Sequence, residues 1–324
     1  MLLDESVNYG VTAIRAFVEV DATVHHLCLE AAVQLKEEWR ERCHVQIVCF
    51  AQDPIFSGPQ GDENRSLMEG AIQRAEVDVV GTTPYVESHH DASRQNIEWA
   101  VQTALQSGKH VDFHLDYDLD AGKEPLIWHV VETLKQSSWP SRTSKRVMIG
   151  HATHLSLFSH AEWQRLARQV TDAQLPVTFV GLPTSDIYMA SAPDRDKADQ
   201  PRGTLPICRM IRDHGLDAVV GINNVGNAFT PWGSCDPLAL ASLCVGLYQA
   251  GSQDDAELLF ECVSSRARAA MGLGAASATV GEGQAAELLV VGDMRSGRAA
   301  VADLVWNPSM ARERSVVFRG RLSG

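Results

Sequence analysis

The stretch between residues 110 and 182 decides the fold, because it alternates between short apolar runs and longer amphipathic ones. Short runs rich in Val and Ile are typical of strands that are buried on both faces. The longer runs place apolar residues at helical spacing. Strands that alternate with helices predict parallel β-strands joined by right-handed crossovers. In order, the five segments read HVDFHLD (110–116), EPLIWHVVETLKQ (124–136), RVMIGHA (146–152), HAEWQRLARQVTDAQ (160–174) and PVTFVGL (176–182).

The same alternation continues outward from this stretch in both directions. A long series of such units predicts an α/β fold of the TIM-type (β/α) barrel kind, with seven strands because residues 1–10 read as the tail of a helix. An open doubly wound sheet is the alternative, but no glycine-rich phosphate loop follows the first strand. The four outer strand-like runs are VTAIRAFVEV (11–20), HVQIVCF (44–50), VDVVGTT (77–83) and DAVVGIN (217–223).

The C-terminal part of the chain changes character after two further helical stretches. AELLVVGD (286–293) and SVVFRGRLSG (315–324) are typical of antiparallel strands. We therefore predict a barrel domain over residues 1–275 and a small β appendage over residues 276–324 that packs on the barrel. The polar segment from Thr184 to Thr204 follows a strand, so we expect it to lie as a loop over the barrel mouth.

Composition limits the classes of partner. Hydrophobic residues make up 45% of the 324 residues and charged residues 21%, which is typical of a globular chain. The formal net charge of -13 disfavours nucleic acid and anionic membranes as partners. The 7 cysteines have no CxxC spacing, no signal peptide is recognisable, and no apolar run is long enough to span a bilayer. These features predict a cytoplasmic protein with reduced thiols.

Polar side chains follow several of the predicted strands, at the end where barrel enzymes carry their chemistry. One histidine at such a place is as often structural as functional, but two at successive strand ends favour a site. The residues concerned are Gln52, His114, Asp116, Tyr117, His151, His154, Asn223 and Asn224.

The order of these segments resembles the amidohydrolase superfamily, in particular its cytosine deaminase-like, fungal metallo-dependent hydrolase branch. No single motif is specific, but together they extend from about Tyr9 to about Val291. The similar stretches are YGVTAIRAFVEVD (9–21), VQIVCFAQ (45–52), VDVVG (77–81), VDFHLDYDLD (111–120), IGHATH (149–154), PRGTLPICRMI (201–211), FTPWGSCDPLAL (229–240) and AELLVVG (286–292).

The resemblance implies a barrel enzyme whose metal is held by an HxH on strand one, a histidine on strand five and an aspartate on strand eight. His114 matches the strand-five ligand, and His151 matches the strand-six histidine that assists catalysis. Gln52 matches a residue that reads the amide edge of a pyrimidine, and Trp232 matches a residue of the pocket wall.

The departures from the family pattern concern the metal. No HxH occurs in this chain, which reads as shortened at its N-terminus, and Asn223 stands where the strand-eight aspartate is expected. The resemblance also implies an acid that shuttles protons shortly after the strand-five histidine. Tyr117 stands at that position, and Asp116 is adjacent to it. His114 is the only ligand position retained, whereas a catalytic divalent ion needs about three protein ligands. We therefore predict no metal and no other cofactor.

Three interpretations remain open: a metal-free barrel with altered chemistry, a non-catalytic binding pseudoenzyme, or a fragment of a metal-dependent deaminase. We favour an enzyme that acts on a small organic molecule without a metal and is no longer a hydrolase. A cyclase or pericyclase of a biosynthetic pathway is one concrete form, since it needs orientation and few donors. We predict as catalytic His114, His151, Asp116 and Asn223, and as substrate-binding Gln52, Tyr117, His154, Asn224 and Trp232.

A seven-stranded barrel leaves two strands with unpaired edges, one at each end of the series. Buried unpaired backbone groups are costly, and open edges invite pairing with another chain. The gap could be covered by residues 1–9, by the C-terminal β tail, by direct contact of the edge strands or by a second subunit. We predict that the protein is a homodimer or another homo-oligomer.

Overall fold

The computed structural model describes residues 2–190, 203–274, 282, 286–292, 298–311 and 313–323. A parallel sheet of seven strands, arranged in chain order, forms the body of the molecule and confirms the predicted fold and strand count. Its strands are β1 (Ala13–Glu19), β2 (His44–Ala51), β3 (Val77–Thr82), β4 (His110–Leu115), β5 (Val147–His151), β6 (Val177–Gly181) and β7 (Ala218–Val220).

Helices alternate with these strands and cover the outside of the curled sheet. Their bounds are α1 (Leu2–Asn8), α2 (Leu27–Glu38), α3 (Gly61–Ile72), α4 (His90–Ser107), α5 (Ile127–Gln136), α6 (Trp139–Arg142), α7 (His160–Asp172), α8 (Pro183–Met189), α9 (Ile207–Arg212), α10 (Pro237–Leu247), α11 (Gln253–Cys262), α12 (Ser265–Ala270) and α13 (Arg298–Trp306). Among the described residues, no helix is long and apolar enough to cross a membrane.

A second, antiparallel sheet lies near the C-terminus, as the sequence predicts. It contains β8 (Leu288–Val291), β9 (Arg314–Phe318) and β10 (Arg321–Ser323), with β9 in the middle. Helix α13 lies between β8 and β9 and was not expected from the sequence. The predicted domain boundary at residue 275 lies outside the described residues and stays a prediction.

The segment predicted as a loop over the barrel mouth begins with a helix in the structure. Helix α8 begins at Pro183 and ends at Met189, so the loop prediction is wrong for these residues. Proline at the first helical position lacks the N–H that a helix N-terminus leaves unpaired, which favours a helix there. Residues 191–202 of the same segment lie outside the described residues.

A buried polar cluster, which we call the barrel floor, lies near the N-terminal ends of the strands. Arg15 of β1 donates to Asp112 of β4 at 3.0 Å and to Gln46 of β2 at 3.0 Å. The Gln46 side chain donates in turn to the carbonyl of Met271, at 2.8 Å, just after α12. Because Arg15 also contacts the Met148 sulfur, the floor joins β1 to three other strands and to the end of α12.

The sheet does not close. Within the described residues, β1 pairs only with β2 and β7 only with β6. A cavity of about 440 Å³ separates the two edge strands, and Leu2 and Ser6 of α1 are among its lining residues. Part of the N-terminal segment therefore borders the gap, as one of the predicted arrangements requires. Self-association through these edges stays a prediction.

Close packing inside the sheet gives a stability prediction at Gly81 of β3. A Cβ at this position would collide with Val48 and lie 2.9 Å from Phe50 Cδ2, both on the neighbouring strand. We expect Gly81→Ala to lower the free energy of unfolding by about 1–3 kcal/mol, measured by urea denaturation. Gly70 of α3 is the matched control, because a Cβ there meets no atom within 4 Å and alanine favours helix by about 0.5–1 kcal/mol. Equal effects of the two substitutions would contradict this packing account.

Candidate active site

His114 and His151 meet at the carboxyl ends of β4 and β5, as the sequence predicts for neighbouring parallel strands. Their ring centroids are 4.8 Å apart in an edge-to-face arrangement. The His114 ring also contacts Phe17 and Phe50, with centroids at 4.7 and 4.6 Å. Tyr117 packs on the His151 ring, and the two ring centroids are 4.1 Å apart. The two histidines therefore lie in a continuous row of aromatic rings that excludes most water.

Asp186 of α8 orients His151. Its Oδ1 lies 2.8 Å from His151 Nδ1, and both side chains are buried. Its Oδ2 accepts hydrogen bonds from the Leu182 backbone N–H at 3.0 Å and from the Thr204 hydroxyl at 2.6 Å. A carboxylate that accepts at Nδ1 places the ring proton there, so Nε2 of a neutral His151 is the nitrogen that can take up a proton.

The backbone at the end of β5 adopts an unusual conformation. His151 has φ 60° and Ala152 has φ 44°, and both values lie in the left-handed region that residues with a Cβ rarely adopt. Such conformations cost on the order of 1–3 kcal/mol each and are concentrated at functional sites. The local strain at His151 therefore supports a functional role for this strand end.

Asn223 follows β7 and belongs to a chain of polar side chains. Its Nδ2 donates to Ser185 Oγ at 3.2 Å, and that hydroxyl lies 2.6 Å from Thr230 Oγ1. Asn223 and Asn224 also line the cavity between β1 and β7. Ser185 and Asp186 are adjacent on α8, so this helix holds both Asn223 and His151.

Tyr85 extends the row of rings beyond Tyr117, and Gln52 lies near Tyr85. Burial raises the pKa of Tyr85, and the nearby Gln52 side chain opposes this shift. Tyr85 in turn packs edge-to-face on Tyr117, with centroids 6.0 Å apart. Burial, together with Asp186 and Tyr85, raises the pKa of Tyr117 above its usual range, so its hydroxyl is a hydrogen-bond donor at neutral pH.

Three of the predicted site residues have other surroundings. Both oxygens of Asp116 accept backbone N–H groups at the start of α5, at 2.7 and 3.1 Å, so this carboxylate faces a helix N-terminus. His154 pairs with Asp118 at 3.0 Å instead of joining His151. Trp232 is 39% exposed and is not among the residues that line the cavity. The structure does not bring these three side chains to the two central histidines.

The sequence reasoning missed Asp186, Phe17 and Phe50. Phe17 and Phe50 lie inside predicted strands and were read only as strand formers. Asp186 lies in the segment predicted as a loop, although this segment follows β6 at the same end of the sheet at which His151 ends β5. Its place three residues after Pro183, which itself follows a strand, was an available signal, because that spacing puts an acid in the first turn of a helix at the barrel mouth.

The described residues do not fit a divalent metal ion. No group of three or more His, Cys, Asp and Glu side chains is arranged among them to hold one. His114 is enclosed by aromatic rings, and burial, reinforced by His151, holds its pKa below the usual range. Asn223 supplies no negative charge at the place where the resemblance expects a carboxylate. The side chains of the described residues therefore do not supply the ligand set of a catalytic divalent ion.

Burial of Asp116 gives a prediction about pH and stability. Burial raises the pKa of Asp116 to about 6 although two backbone N–H groups oppose the shift, whereas an unfolded aspartate has a pKa of about 3.9. The folded protein therefore binds more protons than the unfolded chain between these values, so stability falls as pH rises from about 4 to 6. We expect Asp116→Asn to reduce this slope in urea unfolding experiments. Asp62→Asn, at a 94% exposed side chain, is the control, and an unchanged slope in Asp116→Asn would contradict the prediction.

Comparisons with known proteins find no matching family model. The chain is 21% identical over 317 residues to N-isopropylammelide isopropyl amidohydrolase of Pseudomonas sp. (strain ADP), which covers 97% of this chain and 69% of that protein. Among solved structures, 5-methylcytosine deaminase of Klebsiella pneumoniae, liganded with 5-fluorocytosine, matches with a TM-score of 0.85 at 21% identity. N-isopropylammelide isopropylaminohydrolase of Burkholderia multivorans matches with a TM-score of 0.73 at 22% identity.

Each of the two structural matches covers 99% of this chain, and they cover 72% and 73% of the respective solved chains. They show the fold. Together with the sequence similarity to the curated relative, they confirm the resemblance to the cytosine deaminase-like part of the amidohydrolase superfamily. The proteins that this chain resembles are amidohydrolases and deaminases of small molecules.

Proposed function

We propose that this chain is a metal-independent barrel enzyme that transfers a proton on a small organic molecule through His151. The observation that carries the proposal is the buried 2.8 Å contact between His151 Nδ1 and Asp186 Oδ1. This pair lies at the carboxyl ends of the strands, where barrel enzymes hold their reacting groups. The contact occupies His151 Nδ1 and leaves Nε2 for a substrate.

Asp186 has the properties of a positioning residue. Its two oxygens accept from His151, the Leu182 N–H and the Thr204 hydroxyl, so the carboxylate is held rigidly. A fixed carboxylate keeps the His151 ring in one tautomer and stabilises the imidazolium that forms when Nε2 takes a proton. General acid–base catalysis by a positioned histidine contributes about 10²–10⁴-fold to a rate.

Side chains around His151 can bind a small polar ring. Gln52 and Tyr85 offer amide and hydroxyl groups, and Tyr117 remains protonated at neutral pH. The relatives act on ammelide and cytosine compounds by name, so a small neutral ring with amide-type edges is the proposed substrate class. Gln52 is the residue we assign to reading such an edge.

The proposed reaction is an isomerisation or cyclisation rather than a hydrolysis. Hydrolysis in metal-dependent barrels needs an ion to generate hydroxide, and the side chains at His114 and Asn223 do not fit one. Proton transfer within one bound molecule needs only an oriented base and hydrogen-bond donors. A metal-free cyclase or pericyclase satisfies these conditions.

A second candidate is a non-catalytic binding protein, and one observation favours it. The cavity between β1 and β7 is bordered by His114 and Asn223, but His151 is not among its lining residues. A molecule bound in this cavity would therefore contact His114 and not His151, which is the histidine proposed to transfer the proton.

A metal assay combined with a substrate screen tests both candidates. Purified protein treated with EDTA is incubated with nucleobases, triazines and small cyclic amides, and consumption is followed by mass spectrometry. We expect no ammonia from cytosine or 5-methylcytosine, with or without added zinc or iron, and we expect at least one compound to be consumed by the chelated protein but not by His151→Ala.

Other results of the same experiment would contradict the metal-independent enzyme or favour the binding protein. Zinc-dependent release of ammonia from cytosine, or a stoichiometric tightly held metal, would overturn the metal-independent enzyme. A compound that raises the melting temperature without being consumed would favour the binding protein. Asn223→Asp alone should not create deaminase activity, because one added carboxylate beside His114 is still short of about three ligands.

A further inference from the structure

A contact between two loops surrounds Tyr117. The first loop, residues 116–126, joins β4 to α5 and contains no regular helix or strand. The second loop begins at Ala152, directly after β5. The Tyr117 ring packs on His151 at the end of β5, with the two ring planes 32° apart. Contacts between the two loops therefore determine where the Tyr117 ring lies.

Backbone hydrogen bonds join the two loops just before Tyr117 in the chain. The Ala152 N–H donates to the carbonyl of Leu115 at 2.9 Å, and the His154 N–H donates to the carbonyl of Asp116 at 3.0 Å. Asp116 and Ala152 both have left-handed backbone, with φ 46° and 44°. Residues with a Cβ keep this conformation only where the surrounding structure enforces it. These two hydrogen bonds are contacts of that kind.

Side chains join the two loops just after Tyr117. The Thr153 hydroxyl donates to the carbonyl of Asp118 at 3.0 Å. His154 Nδ1 lies 3.0 Å from Asp118 Oδ1, and the side-chain exposures are 6% and 24%. The hydrogen bond to Asp118 raises the pKa of His154, as a carboxylate does when it accepts from an imidazole. The pair therefore attaches the first loop to the second through a largely buried, charge-assisted contact.

Tyr117 is flanked by two fixed neighbours. Asp116 is held through its carbonyl by His154 and through its carboxylate by two backbone N–H groups at the start of α5. Asp118 is held through its carbonyl and its carboxylate by residues of the second loop. Because both neighbours are fixed, few positions are open to the Tyr117 ring, and the observed one lies against His151.

We propose that His154 and Asp118 are positioning residues that hold Tyr117 against His151. This role rests on the proposed function, because His151 is the residue assigned to transfer the proton. Burial raises the pKa of Tyr117, so a fixed Tyr117 hydroxyl offers a hydrogen-bond donor beside that residue at neutral pH. The substrate should therefore carry an acceptor, such as a carbonyl oxygen or a ring nitrogen, next to the atom that exchanges a proton.

Fluorine NMR of the full chain tests the positioning without a substrate. The 5 tyrosines are labelled as 3-fluorotyrosine, and the Tyr117 signal is identified as the one missing from Tyr117→Phe. In His154→Ala this signal should lose at least half of its displacement from the unfolded-chain value, because the His151 ring no longer lies beside it. In His154→Asn it should keep its position, since the asparagine Nδ2 can donate to Asp118 from the place of the imidazole Nδ1.

Two further variants separate this effect from a general loss of stability. Asp118→Ala removes the other partner and should displace the signal as His154→Ala does, which keeps the proposal testable if one of the two variants does not fold. Lys36→Ala breaks a half-buried ion pair with Asp78 near the N-terminal ends of the strands, and it should leave the signal unchanged. An unchanged signal in a folded alanine variant of the pair, or an equal displacement in Lys36→Ala, would overturn the proposal.

The reaction found by the substrate screen supplies a second measurement. His154→Ala should raise KM by about two- to tenfold, as loss of one hydrogen bond does, with a smaller change in kcat. His154→Asn should restore KM, and equal effects of the two substitutions would contradict the assigned role. If the unmodified chain consumes no compound, the proposed function fails, whereas the fluorine signal still shows whether the pair holds Tyr117.

Discussion

Replacing Arg15 by alanine is expected to lower the free energy of unfolding by about 3–5 kcal/mol. Arg15 and Asp112 form an ion pair at 3.0 Å with side-chain exposures of 5% and 3%. The alanine variant leaves Asp112 buried without its cationic partner. Burial already raises the pKa of Asp112 to about 6 even with Arg15 beside it, so loss of that cation increases the cost of the charged carboxylate.

Urea denaturation at neutral pH measures this effect, and two controls separate the buried pair from ordinary surface charge. Lys135→Ala breaks the exposed pair with Glu132 and should cost at most ~1 kcal/mol. Combining Arg15→Met with Asp112→Leu removes both charges and should recover most of the lost stability, because apolar residues of similar volume often replace buried pairs without loss. A loss below about 1 kcal/mol for Arg15→Ala would show that water reaches the floor.

The second large effect is expected at Asp186. In the reaction found by the substrate screen, Asp186→Asn should lower kcat by about 10²–10⁴-fold, as loss of a positioned acid–base group does. KM should change little, because Asp186 is fully buried and acts only through His151. The asparagine keeps the size of the side chain but no longer enforces the His151 tautomer that leaves Nε2 free.

A pH–rate profile distinguishes this positioning role from a structural one. The dependence of the rate on pH should change in Asp186→Asn, whereas a merely loosened fold would lower the rate equally at every pH. His129→Ala is the matched control, since His129 pairs with Glu98 at 3.0 Å on the surface. Full activity in Asp186→Asn would remove His151 from the proposed mechanism.

Much of the fold could be predicted because local periodicity reflects the layers of the barrel. The strands of the sheet are nearly continuously apolar, as in β2, where every residue but His44 is buried. The periodicity does not report which residues meet across the barrel. The contact between Arg15 and Asp112 joins positions 97 residues apart, and no local pattern marks Arg15 as a buried residue.

Part of the site was predictable and part was not, for a physical reason. His114 and His151 lie at the carboxyl ends of the neighbouring strands β4 and β5, so parallel topology alone brings them together. Asp116 also follows β4, but its backbone has φ 46° and its carboxylate faces the start of α5, which strand alternation does not anticipate. Asp186 was missed because a helix begins directly after β6, where the polar composition favoured a loop.

The link between Gln46 and the carbonyl of Met271 has a consequence for the order in which the molecule assembles. The two residues are 225 positions apart. At a synthesis rate of about 5–20 residues per second, the ribosome needs roughly 11–45 seconds to make the intervening chain. During that time β1 and β2 exist without the end of α12 beneath them. Contacts of such long range form slowly and leave early segments prone to aggregation, so we expect β1 and β2 of a nascent chain to stay exposed to aggregation until α12 has been made.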